Sequence, residues 1–292
     1  MDKQLGAPGR AGQIGRGAVF LCAVFWSTGG LCIKLIDWHP ISIAGGRSLI
    51  AALFMAAARF LSPQTRRRKF DLRLLWPAGL AYAATMILFV IANKLTASAN
   101  AILLQYSAPI WAALLGWLLL REKLHWEQWG ALILVTGGLV LFFKDSLASG
   151  SLAGDVIALI SGIAFGANSV LMRMQRGGTQ SDAFILAHLI TALFSVPFFS
   201  FYAPAMSPTA LGAILFLGVF QIGAASLLFA YGIARITAVQ AMITAMAEPV
   251  LNPLWVLLAT GEKPTPSALA GGGIIVAAVV GSSLLSKKRE GP

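Results

Sequence analysis

The chain has 292 residues, 58% of them hydrophobic and only 11% charged, with a mean hydropathy of +0.79. Globular chains are about 45–50% apolar and about 25% charged, so a water-facing surface cannot be covered and a soluble enzyme is excluded. Two cysteines and three histidines exclude a disulfide framework and a zinc module. The net charge of +11 sits in short gaps between apolar runs, mainly Arg66-Arg67-Arg68-Lys69 and Lys287-Lys288-Arg289, a placement that suits membrane topology and not nucleic-acid binding.

A bilayer core of about 30 Å needs about 20 apolar residues per helix. Ten predicted spans follow in chain order: 17–36, 41–61, 74–96, 99–120, 126–143, 152–172, 182–203, 208–233, 237–259 and 265–285. No ten-residue units of alternating polarity occur, which argues against a barrel. Residues 1–16 read as a Gly-rich cytoplasmic lead-in and 286–292 as a basic cytoplasmic tail. If the N-terminus is cytoplasmic, 17 of the 22 Lys and Arg fall inside and only Lys94, Lys144 and Lys263 outside, with Lys34 and Arg47 within spans. That bias predicts both termini in the cytoplasm.

Polar and aromatic residues at membrane depth mark a pathway or helix contacts. The first span brings Trp26, Ser27 and Thr28. The third carries Tyr82, Met86, Phe89 and Asn93 on one face, and the fourth Gln105, Tyr106 and Ser107 just before Pro109. Phe165, Asn168 and Ser169 lie in the sixth, and Phe220, Gln221 and Tyr231 in the eighth. The ninth has the clearest stripe, with Gln240, Thr244, Glu248, Asn252 and Trp255 on one helical face. Pro249 and Pro253 break its hydrogen-bond ladder. Glu248 has two readings: a proton-titrating or ammonium-binding carboxylate, or a structural partner for a cation such as Arg47 or Lys34. Trp38, Trp76, Trp126 and Trp129 lie near span ends, where indoles prefer the headgroup level. Gly-Gly pairs at 29–30, 45–46 and 137–138 and the run 271–273 suit close helix packing.

The two halves repeat. Pro109 precedes Glu122-Lys123 by thirteen residues, and Pro249 precedes Glu262-Lys263 by the same number, a constant offset of 140. Trp26 precedes Lys34 by eight, as Phe165 precedes Arg173. Five spans per half force the second to enter with opposite polarity, an arrangement recurrent in transporters. The expected units are therefore 17–144 and 152–285. These features resemble the drug/metabolite transporter superfamily, EamA-type branch, and within it the bacterial exporters of aromatic and other neutral amino acids. The resemblance implies ten helices in two inverted five-helix repeats around a central cavity, in an inner-membrane exporter.

The cavity is expected to be lined by Trp26, Tyr82, Phe89, Gln105, Tyr106, Phe165, Asn168, Phe220, Gln221, Tyr231, Gln240, Thr244 and Glu248. Pro109, Pro249 and Pro253 are the expected helix breaks. No nucleophile–His pair, acid/base pair or metal constellation stands at depth, so no enzyme, metal or cofactor is expected. The partners are the bilayer and a small-molecule cargo, with amino acids or similar amphipathic metabolites favoured. A small-cation exporter and a facilitative channel are the alternatives. Phosphorylated cargo would need more cations than Lys34 and Arg47.

Overall fold

The computed structural model describes residues 10–61, 71–96, 98–147, 151–175, 179–202, 204, 206–260 and 265–289. These residues are mostly helical, with no strand among them. The first elements are α1 (Arg10–Ser27), α2 (Gly29–Lys34), α3 (Pro40–Leu61), α4 (Leu72–Leu95), α5 (Ser98–Gln105), α6 (Ala108–Leu120) and α7 (Trp126–Phe143). They are followed by α8 (Leu152–Met174), α9 (Gln180–Phe201), α10 (Pro208–Phe216), α11 (Ala225–Ile233), α12 (Ala238–Ala245), α13 (Ala247–Thr260) and α14 (Pro266–Arg289). A π-helical segment, Leu217–Ala224, joins α10 to α11.

Among the described residues, eight helices are long and apolar enough to cross a membrane: Pro40–Leu61, Leu72–Ala92, Asn100–Leu120, Trp126–Phe143, Leu152–Met174, Gln180–Phe201, Pro208–Ile233 and Pro266–Leu285. A shorter apolar helix covers Ala238–Leu251. The chain is therefore a multi-pass membrane protein. The expected first and ninth spans are the two outside that set of eight. α1 carries Arg10 and Arg16 and stops at Ser27, while the ninth is interrupted at Met246. α1 begins at Arg10, inside the expected lead-in of 1–16, and Arg16 is buried. At the other end, α14 runs on through the basic tail to Arg289.

Packing follows an ordered pattern. α3 lies along α9, and α7 lies along α14. α4 packs on α8 and α9, while α11 and the π segment pack on α1 and α3. α6 leans on α8 as α13 leans on α1. Small residues make the approaches close. A Cβ on Gly271 would lie 2.5 Å from the Gly138 carbonyl oxygen and from the Phe142 amide nitrogen, so α7 and α14 meet backbone to backbone. Beyond α7, the Asp145 carboxylate accepts the Ser267 hydroxyl at the start of α14. That hydroxyl, Thr265 and Lys144 hold the exposed Asp145 carboxyl below the usual carboxylate range.

Two helical runs are broken in mid-course. α5 gives way to α6 across Tyr106 and Ser107, and α12 gives way to α13 across Met246. Pro109 and Pro249 fall in the first turns of α6 and α13, where the missing N–H costs nothing because no carbonyl waits for it. Each of these two prolines therefore starts a half-helix instead of kinking a continuous one.

Candidate functional site

The two breaks and the π segment bring four polar side chains to one centre. Arg47 of α3 donates through Nη1 to Gln221 Oε1 at 3.4 Å. Gln221 Nε2 in turn donates to the Trp26 carbonyl at 3.3 Å. The π segment supplies this geometry: an extra residue in a turn re-aims side chains, and such segments recur at functional sites. Gly218, one turn earlier, lets α3 come close, since a Cβ there would lie 2.5 Å from Ile50 Cβ and 3.0 Å from the Arg47 carbonyl.

Glu248 approaches from the opposite element, in the first turn of α13, where the helix dipole favours negative charge. Its carboxylate accepts the Tyr106 hydroxyl from the α5–α6 break. Arg47 and Glu248 interact electrostatically, yet neither makes an ion pair among the described residues. Both are half-buried, and the Arg47 Nε finds no hydrogen-bond partner.

Aromatic rings lie beside this centre, joined to it through the Trp26 carbonyl. Trp26 stacks on Phe229 at 5.5 Å and meets Phe165 edge-on at 6.0 Å, so the aromatic residues heading the two halves touch each other. Tyr82 is 2% exposed, set edge-on to Phe184 at 4.7 Å and His188 at 5.7 Å. Its hydroxyl hydrogen-bonds Ser226, which also contacts His188 Nε2 at 3.2 Å. Trp255 Nε1 donates to Ser27 Oγ at 2.8 Å, tying α13 to α1.

Of the expected lining, Trp26, Tyr82, Tyr106, Phe165, Gln221 and Glu248 meet here. The others fall elsewhere. Gln105 is buried and donates to Ser161 Oγ at 2.9 Å, bracing α5 against α8. Asn168 Nδ2 donates to the Ala78 carbonyl at 3.0 Å, bracing α8 against α4. Gln240 caps α12 with Thr237, and Thr244 donates back to the Gln240 carbonyl at 2.8 Å. Phe89 packs with the small cluster of Ala92, Ala101 and Ala158. Phe220 is 47% exposed and Tyr231 45%, the latter under the Arg235 guanidinium at 3.4 Å. The side chains of Lys34, Asn93, Asn252 and Pro253 lie outside the described residues. Trp76, Trp126 and Trp129 are exposed, while Trp38 is half-buried, edge-on to Phe199 at 6.4 Å.

The repeated charges have a visible partner in one copy. Glu122 Oε1, closing the Pro–Glu–Lys motif of the first half, pairs with Arg173 Nε of α8 at 3.3 Å. Arg173 Nη1 also donates to the Ala234 carbonyl at 3.2 Å, and Gln128 reaches Thr237 at 3.4 Å. This end of the bundle is therefore latched between the halves. Glu262 lies outside the described residues. Among them, no cluster of three or more His, Cys, Asp or Glu stands ready for a metal ion.

A multi-helix membrane bundle with a polar centre inside it fits a small-solute transporter. The chain belongs to the EamA-like transporter family, in the drug/metabolite transporter superfamily, whose model matches residues 13–144 and again 152–284. It is 26% identical to the uncharacterized transporter YwfM of Bacillus subtilis (strain 168), over 93% of this chain and 94% of that one. It is 24% identical to an uncharacterized transporter of Archaeoglobus fulgidus, over 92% and 97% of the two chains. A part of it is 26% identical to solute carrier family 35 member G1 of Homo sapiens, over 56% and 48%. A solved structure with 20% identity superposes with a TM-score of 0.78, covering 97% of this chain and 99% of its own; that match speaks to the fold alone.

Proposed function

We propose that this transporter is a secondary carrier that exports amino acids, aromatic and other neutral ones, or similar amphipathic metabolites across the inner membrane by alternating access. The observation that carries the reading is the centre itself, where the Arg47–Gln221 and Tyr106–Glu248 pairs stand within electrostatic reach of each other, beside the rings of Trp26, Phe165 and Phe229. Tyr and Trp offer apolar faces with polar tips, which suits a polar head group on an apolar body.

Two inverted five-helix repeats, 17–144 and 152–285, account for the shape around it. The double family match supports duplication, and so does the packing, in which α4 on α8 is answered by α11 on α1. Breaks at 106–107 and 246, close to the 140-residue offset of the sequence repeat, agree with it. On this reading α1–α2 forms one pass and α12–α13 another, making ten. The charge bias then sets both termini and the Glu122 latch in the cytoplasm. Single cysteines at exposed Lys123 and Lys144, in a chain with Cys22 and Cys32 replaced by alanine, check the orientation. An impermeant maleimide added to intact cells is expected to label the second alone, and labelling of the first reverses the topology.

Purified protein in liposomes, offered labelled amino acids, organic cations and phosphorylated metabolites in turn, tests the cargo class. Saturable uptake is expected for neutral amino acids. Uptake confined to cations assigns the chain to small-cation export, with Glu248 and the rings as the cation site.

A further inference from the structure

An arginine and a glutamate enclosed in the same low-dielectric region ordinarily close into an ion pair, because nothing else there compensates either charge. Arg47 and Glu248 stay apart. Arg47 is drawn to Gln221, leaving Nε without a partner, and Glu248 is held by Tyr106. The bracing is crossed: Arg47 of the first half is held by Gln221 of the second, and Glu248 of the second by Tyr106 of the first. Each charge keeps some accessible surface and feels the other without contact.

We propose that the gap between Arg47 and Glu248 is a binding site for a zwitterion, with an α-carboxylate received by Arg47 and an α-ammonium by Glu248. The ligand completes the interrupted ion pair from both sides and leaves neither residue uncompensated. Its apolar side chain lies toward Trp26, whose carbonyl holds Gln221 and whose ring is backed by Phe165 and Phe229. The arrangement filters twice. An amine without a carboxylate places its charge before Glu248 and leaves Arg47 facing a second cation. A carboxylate without an amine does the reverse, and both mismatches reject the ligand. This site rests on the carrier reading above and names what its centre recognises.

Two ligand series on the purified full chain test the site by calorimetry: phenylalanine, phenethylamine and 3-phenylpropanoate, then leucine, isoamylamine and 4-methylpentanoate. Within each series the apolar body is nearly constant and only the charges change. In at least one series the amino acid is expected to bind about tenfold or more tighter than either partner, the worth of one charge-assisted contact. Arg47→Gln is expected to erase the preference over the amine, and Glu248→Gln the preference over the acid. Equal binding across a series, tightest binding of an amine, or no binding in either series overturns the proposal. The wild-type comparison decides even if a variant fails to fold. Counterflow in liposomes separates the two failures: saturable, trans-stimulated movement of some other solute keeps the carrier reading and discards only the zwitterion site.

Discussion

Glu248→Gln is expected to leave the fold almost unchanged and to remove most selective transport. Breaking a direct buried ion pair typically costs about 3–5 kcal/mol, but no such pair holds Glu248 among the described residues. An amide oxygen still accepts the Tyr106 hydroxyl, so the loss of stability is expected to stay below about 1 kcal/mol. The proposed zwitterion, however, would lose the anionic partner of its ammonium in the described centre, which is worth about ten- to hundredfold in affinity. Thermal unfolding and uptake measured on the same preparation check both halves of this expectation. A marked fall in the unfolding midpoint, with transport tracking the folded fraction, would make Glu248 a structural residue instead.

Tyr82→Ala is expected to have the opposite profile. The ring is 2% exposed and wedged against Phe184 and His188, so its removal leaves a cavity at the junction of α4 and α9. Loss of a large aromatic from such a place typically costs about 3–5 kcal/mol, enough to lower the yield of monodisperse protein severely. Tyr82→Phe keeps the ring and deletes only the bond to Ser226, at a cost of about 1 kcal/mol. Size-exclusion profiles and unfolding midpoints of the two variants separate packing from polar contact. An unchanged midpoint in Tyr82→Ala would show that the neighbouring side chains close the void.

Part of this architecture is legible in the sequence. The composition identifies a membrane protein, and rare residues at a constant offset predict two similar halves, which the family model matches separately. Trp26 and Phe165 stand out in the sequence because each opens its half with an aromatic residue, and Tyr106, Gln221 and Glu248 because polar groups at depth are costly; the structure brings these side chains near one another. Helical stripes were a poorer guide. A stripe gives a face but neither its depth nor its neighbour, so Phe89 and Tyr82 share a face while only Tyr82 reaches the centre. The ninth-span stripe was drawn on one continuous helix. The break at Met246 divides it, sending Gln240 to a cap and Glu248 to the middle. Arg47 is visible in the sequence at membrane depth, but nothing in the residue pattern places it beside Gln221. That contact comes from the π segment, which depends on packing against α3 and has no sequence signature beyond Gly218 and Gly223.

Glu122, just beyond α6, and Arg173, near the end of α8, form a latch. They meet at one end of the bundle and join the two halves there. A carrier that alternates between sides must release such a contact once per cycle, and only the loaded protein completes that cycle efficiently. Counterflow is therefore the most direct measurement of the central claim. Liposomes preloaded with millimolar unlabelled amino acid are placed in a trace of the labelled compound. A carrier predicts a transient accumulation of label above equilibrium, driven solely by exchange. A monotonic approach to equilibrium at a rate indifferent to the internal load would contradict the account and describe a channel.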